Sequence, residues 1–199
     1  MIKSIVGDYR IDFGNSIIER LQLIYDLSFM AGGACRDTVI GLNPADYDFY
    51  YYSSQSLESN AKKQLETIVG IKVDRINDEE IKKGTYECSK DIKRIYTSTI
   101  DGKDCQFIQL TEPKYHLNVV DNFPLNLCQA SLFAGKLHTS LDFDIGVRHG
   151  VLYKTAKQYS SEGYYIRKIR NKLKSFSYFE SKEEFAIDYL HKDLVVEEW

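Results

Sequence analysis

The sequence predicts an α+β domain: a mixed sheet of roughly four to five strands carrying a site at one edge, helices on the far face, and a small helical C-terminal extension. Three observations carry this. A Gly32-Gly33 pair separates a short apolar run from a helix and is followed by a strand holding Asp46 and Asp48. An Asp101-Gly102 turn joins two strand-like segments into a hairpin. Apolar residues at helical spacing recur before the glycines, after the aspartates and near the C-terminus.

Taken in order, Ser16-x-x-Glu19 reads as a capping box, and Ile17, Ile18, Leu21, Ile24, Tyr25 and Leu27 follow helical spacing. Phe29-Met30-Ala31 suits a buried strand. Gly32 and Gly33 then let the backbone turn sharply and approach a ligand closely; their amides, with the start of a helix near Ala34, would face an anion. Gly41 is placed to stop that helix, and Asn43-Pro44 breaks the chain before an aromatic-rich strand over residues 47–52. Side chains alternate along a strand, so Asp46 and Asp48 share one face and Tyr47 and Phe49 the other. Two adjacent carboxylates repel unless a cation lies between them, and hard oxygen donors favour Mg²⁺ or Mn²⁺.

Leu57, Ala61, Leu65 and Ile68 give a second amphipathic helix ended by Gly70, and Ile71, Val73 and Ile76 suit a short strand. Residues 78–87 are charged and poorly patterned. Residues 93–100 and 103–110 form the expected hairpin. On its second strand Asp104 and Gln106 share a face, about 6.5 Å apart. Past Phe123, a helix would place Asn126 and Gln129 on one side. Ile166, Ile169, Leu173 and Phe176 fall at helical spacing, leaving Arg167, Lys168, Arg170, Lys172 and Lys174 mainly on the opposite face. Ser181-x-x-Glu184 caps a last helix carrying Phe185, Tyr189 and Leu190.

The 199 residues, 28% charged and 43% apolar, have an ordinary soluble composition and enough length to bury a proper core. No apolar run reaches the length of a membrane span, and Met1-Ile2-Lys3-Ser4 lacks the apolar core of a signal peptide, so a cytoplasmic protein is expected. Cys35, Cys88, Cys105 and Cys128 lack zinc or disulfide spacing, and His116, His138, His149 and His191 form no ligand pattern. The net charge of −3 argues against a globally electrostatic nucleic-acid binder, but the charge is unevenly placed. Residues 154–174, Lys157 among them, carry seven bases and one acid, whereas residues 178–199 carry seven acids and two lysines.

The stretch from Gly32 to Asp48 resembles the catalytic head of the nucleotidyltransferase superfamily that includes DNA polymerase beta. The likeness is closest to class II tRNA CCA-adding enzymes and bacterial poly(A) polymerases, whose Gly-Gly-x-x-Arg-Asp, helix, Gly, Asp-x-Asp pattern is met by Gly32, Gly33, Arg36, Asp37, Gly41, Asp46 and Asp48. Residues 120–129 are similar to the class II segment Arg-Arg-Asp-Phe-Thr-Ile-Asn-Ala without its arginines, and Tyr159 to Ile166 to a pattern in short stand-alone members, some of them viral. The resemblance implies a nucleotidyltransferase head over residues 1–150 and a helical extension over residues 151–199. It implies transfer of NMP from an NTP to an acceptor hydroxyl, most often an RNA or tRNA 3′ end, with pyrophosphate released. Asp46 and Asp48 would hold Mg²⁺ or Mn²⁺, and Gly32, Gly33, Arg36 and Asn126 would bind nucleotide. Arg36 either contacts phosphate or pairs with Asp37. Gln106, with Asp104 as the neighbouring choice, stands where relatives place a third carboxylate. The basic residues Arg167, Lys168, Arg170, Lys172 and Lys174 are candidates for RNA contact. Two other readings stay open: transfer to a protein hydroxyl, as in toxin–antitoxin-like systems, and a catalytically inactive nucleotide- or RNA-binding module.

Overall fold

The computed structural model describes residues 7–76, 91–155 and 162–195. Met1 to Ser4, the charged segment 78–87, Cys88, Lys157, Tyr159 and residues 196–199 lie outside them.

The chain opens with α1 (Tyr9–Leu21), β1 (Phe29–Ala31), α2 (Gly33–Val39), β2 (Asp46–Tyr52), α3 (Glu58–Val69) and β3 (Asp74–Arg75). It continues through β4 (Ile92–Ile100), β5 (Lys103–Leu110), α4 (His116–Val120) and a 3₁₀ turn (Asn126–Cys128) to β6 (Ala130–Phe133) and β7 (Lys136–Thr139). Then come α5 (Leu141–His149), β8 (Val151–Tyr153), α6 (Glu162–Lys172), β9 (Ser177–Phe179) and α7 (Lys182–Val195). The cap of helix α1 lies eight residues before the Ser16 expected to supply it. Asp8 is the cap, accepting from the Arg10 amide at 2.9 Å, and Ser16 lies mid-helix with its hydroxyl bonded to the Phe13 carbonyl.

Seven strands form one mixed sheet in the order β3-β4-β5-β2-β1-β6-β7. Only β2 and β5 run parallel; the other neighbours are antiparallel. The sheet is therefore wider than the four or five strands expected, and β2 is its middle strand instead of an edge. The extra width comes from the β6–β7 hairpin, which turns at Ala134-Gly135.

Alternation along β2 divides the molecule. Tyr47, Phe49 and Tyr51 enter the main core with Met30, Tyr96, Phe107 and Leu132, covered by Ile17, Ile18 and Leu21 of α1 and Leu65 and Val69 of α3. Phe49 stacks on Phe107 at 5.7 Å, and each such buried ring contributes about 1.5–3 kcal/mol of transfer free energy. On the other face, Phe29, Tyr50, Ile95, Ile108 and Leu110 form a second cluster under Val120 of α4, leaving the Asp46 end of that face without such cover.

The C-terminal segment packs through a third cluster, in which Ile169 and Leu173 meet Leu125, Leu127, Cys128 and Leu152, with Ile40 and Leu42 at its margin. This is the apolar stripe expected of the basic helix. Strand β8 pairs in parallel with β9, and α7 is capped by Ser181, whose hydroxyl accepts from the Glu184 amide. Phe185 stacks on Tyr153 at 5.9 Å. Among the described residues no helix is long and apolar enough to cross a membrane.

Candidate functional site

The β2 register brings the acidic positions together. Asp48 stands opposite Ala31, the last residue of β1 before the glycines, and beside Gln106 of β5; Asp46 stands beside Asp104. Residues paired across a sheet project to the same side, so Asp46, Asp48, Asp104 and Gln106 share one face. Asp46 and Asp48 are partly exposed. Asp104 accepts a hydrogen bond from the Thr99 hydroxyl at 3.1 Å, which draws it toward β4.

The glycine turn closes over this face. Gly32 has φ of +80° and ψ of −128°, a conformation in which a side chain is strained. A Cβ there would lie 3.5 Å from the Phe123 ring and 4.0 Å from Asp48 Oδ2. The turn and the carboxylate are thus immediate neighbours. The Gly32 amide donates to the Ala130 carbonyl at 2.9 Å, so it holds the sheet and does not face an anion. The first bond of α2 runs from the Arg36 amide to the Gly32 carbonyl, which leaves the amides of residues 33–35 without an acceptor inside the helix. The conformational demand falls on Gly32, since a Cβ at Gly33 would meet only the Arg36 guanidinium, at 3.7 Å.

Arg36 and Asp37 are both buried and pair with each other, Nε and Nη2 each 2.8 Å from Asp37 Oδ1. Arg36 Nη1 also approaches Cys128 Sγ at 3.6 Å. Of the two roles open for Arg36, the structure shows the bracing one. Lys172 Nζ binds the other oxygen, Asp37 Oδ2, and so departs from the RNA-facing role expected of it. Arg170 lies over the Tyr178 ring at 4.5 Å, while Arg167, Lys168 and Lys174 are exposed.

Asn126 and Gln129 correct the expectation of a nucleotide-contacting helix. Leu125 bridges Lys154 and only the short 3₁₀ turn forms, so both side chains point inward. The Asn126 amide donates to the carbonyls of Asp142 and Val151 and accepts from the Tyr153 amide at 3.0 Å. Gln129 donates to the carbonyls of Asp121 and Phe123 and accepts from the Ser140 hydroxyl at 2.7 Å. Both hold backbone from separate segments together. Phe123, absent from the expected site residues, is the side chain that borders Gly32.

Burial dominates the thiol beneath the site: Cys105 is pushed up to about 12, with the charges of Asp104 and Asp48 acting in the same direction. No group of three or more acidic, histidine or cysteine side chains able to hold a metal occurs among the described residues. Asp46 and Asp48 present a pair of hard carboxylates on the same sheet face. That chemistry fits a divalent cation which keeps several waters and takes substrate oxygens, as Mg²⁺ does, and does not fit an all-protein cage.

No protein-family model and no curated protein matches the sequence. Solved structures do. A CCA-adding enzyme in complex with CTP superposes with a TM-score of 0.58 at 11% identity, covering 96% of this chain and 45% of that one. The Thermotoga maritima CCA-adding enzyme complexed with tRNA gives 0.57 at 10%, covering 92% and 42%. A tRNA nucleotidyltransferase with a primer tRNA and an incoming ATP analogue gives 0.51 at 14%, covering 88% and 51%. This chain thus spans about half the length of the structures it matches. The likeness shows that this chain shares its fold with part of these CCA-adding and tRNA nucleotidyltransferase structures.

Proposed function

We propose that the chain is a metal-dependent nucleotidyltransferase that moves NMP from an NTP to a hydroxyl at an RNA 3′ end, with tRNA as one such acceptor. The observation that supports it most is the convergence of Asp46 and Asp48 with the Gly32 turn on one open sheet face, Asp48 Oδ2 lying 4.0 Å from the Gly32 Cβ position. The fold it sits in is shared with structures that hold CTP, an ATP analogue and tRNA.

In this reading the acceptor oxygen bonds to the α-phosphorus, the bond to the β-phosphate oxygen breaks, pyrophosphate leaves and the acceptor proton passes to solvent. Asp46 and Asp48 would hold Mg²⁺ or Mn²⁺, which supplies neutralisation of phosphate charge and a lower acceptor pKa. The chain's own contribution is mainly positioning. The backbone at Gly32, bare of a Cβ, leaves room for the triphosphate, and the amides of residues 33–35 face it. Phe123 limits that space on one side. The exposed Arg167, Lys168 and Lys174 offer charge to an RNA backbone. The head would comprise residues 1–150 and the extension residues 151–199.

One observation favours a second reading, a binding module without chemistry: Gln106, not a carboxylate, stands beside Asp48. Incubating the purified protein with each α-labelled NTP, Mg²⁺ and either total RNA or cell lysate separates the cases. Label in RNA is the expected result. Label in protein moves the acceptor to a protein hydroxyl, and nucleotide binding without any transfer leaves the module.

A further inference from the structure

We infer that Lys172 is a positioning residue for the nucleotide site, acting through Asp37 and Arg36 on the glycine turn; this deepens the transferase reading and rests on it. The sequence places Lys172 among five bases on one helix face. The structure instead ties it to a carboxylate 135 positions earlier in the chain.

The argument begins with the carboxylate. Asp37 belongs to α2, the helix that the glycine turn opens, and its side chain is only 2% exposed. Its two oxygens are divided between two cations. Oδ1 takes the Arg36 guanidinium and Oδ2 takes the Lys172 ammonium. Lys172 also reaches the Asn43 carbonyl at 3.4 Å, in the loop that leads from α2 into the Asp46 strand. A single side chain from α6 thus touches two points, Asp37 and Asn43, of the segment running from the turn to Asp46. The apolar contacts agree: Ile40 and Leu42 of the same segment pack beside Ile169 and Leu173.

This division fixes Arg36. With Oδ2 taken by Lys172, Arg36 bonds Oδ1 through Nε and Nη2, and its Nη1 and Nη2 also lie near Cys128 Sγ and the Gly33 position. Remove the ammonium and a buried carboxylate oxygen loses its cation, which is costly unless another group replaces it. The nearest replacement is Arg36 itself, whose fork suits a two-oxygen grip on a carboxylate. Taking that grip draws the guanidinium away from the turn and lets α2 shift. The trio also carries net charge +1 beside the turn, from two cations and one anion, which falls to zero without Lys172. Both changes weaken the triphosphate site and touch neither Asp46 nor Asp48.

The test measures KM and kcat for ATP and for CTP with Mg²⁺ and an RNA primer in the full chain, with thermal melting of every variant. Lys172→Met keeps the apolar stem and should raise KM about tenfold while kcat stays within about twofold. Lys172→Arg, which restores a cation, should return KM to near wild type. Asp37→Asn combined with Lys172→Met should be no worse than Asp37→Asn alone, because the two act through one contact. Lys172→Met folded and with wild-type KM overturns the inference, as does a loss of RNA affinity with nucleotide KM unchanged. Should Lys172→Met fail to fold, nucleotide KM in Asp37→Asn decides, a wild-type value again overturning it. A wild-type protein that binds none of the four NTPs refutes the transferase reading itself, and the positioning role falls with it.

Discussion

The two faces of β2 show how one seven-residue strand divides two tasks. Tyr47, Phe49 and Tyr51 face α1 and α3 and are sealed into the largest core cluster. Asp46 and Asp48, interleaved with them, face an open surface beside the glycine turn, and only from Tyr50 onward does that second face become apolar. The period of two keeps the carboxylates within one residue of the core without burying them. Rigid support and chemistry are adjacent yet separable, so substitutions on the two faces should fail in different ways.

The largest expected effect is on the open face. Asp48→Asn or Asp46→Asn should lower nucleotidyl transfer by about 10³-fold or more, with a melting temperature close to wild type, because a carboxylate proposed to hold the metal is removed and no packing is lost. A melt that falls in step with activity would show that the aspartates hold the fold, and the contrast between faces would collapse. On the closed face, Phe49→Ala should cost about 3–5 kcal/mol of stability in urea unfolding through loss of a buried ring and the cavity left behind. The fraction that stays folded should keep its nucleotide affinity.

A smaller effect sharpens the comparison within the site face itself. Asp48, Ala31, Ser131 and His138 lie in one cross-strand row, and His116 of α4 meets its far end at Ser131 and His138. His116 is buried, bonded to the Ser131 hydroxyl at 2.7 Å, and burial followed by the neighbouring His138 pushes its pKa down to about 4. A depressed histidine binds its proton more readily in the unfolded chain, so its contribution is intact above about pH 6.5 and lost as pH falls toward 4. Between pH 7 and pH 5 the wild type should lose about 1–2 kcal/mol from this group. His116→Gln should flatten that part of the stability profile, and an unchanged profile would place the titration elsewhere.

Where local chemistry decides structure, the sequence was readable. The Gly32 turn, the alternating aspartates, the Asp101-Gly102 hairpin, the Gly70 stop and the Ser181 cap each depend on a few adjacent residues, and the structure has all of them. The β6–β7 hairpin carries a comparable local signal, Ala134-Gly135 between two short strand-like runs. Elsewhere distance hid the answer. Asn126 and Gln129 looked like an exposed helical pair, but Leu125 pairs with Lys154 and turns both amides toward backbone from other segments. The partner of Lys172 lies 135 residues away, so a charge run gave no sign that one of its members is committed. At α1, Ser16 and Glu19 imitate a helix start, while Asp8 supplies the real one.

The most direct test of the account is pyrophosphate release by the purified chain with an RNA primer, run for each of the four NTPs with Mg²⁺ and again with EDTA, in wild type and Asp48→Asn. The account predicts release by the wild type with at least one NTP, abolished by EDTA and reduced about 10³-fold or more in Asp48→Asn. Release that survives EDTA, release at the wild-type rate in Asp48→Asn, or no release with any NTP and primer would contradict it.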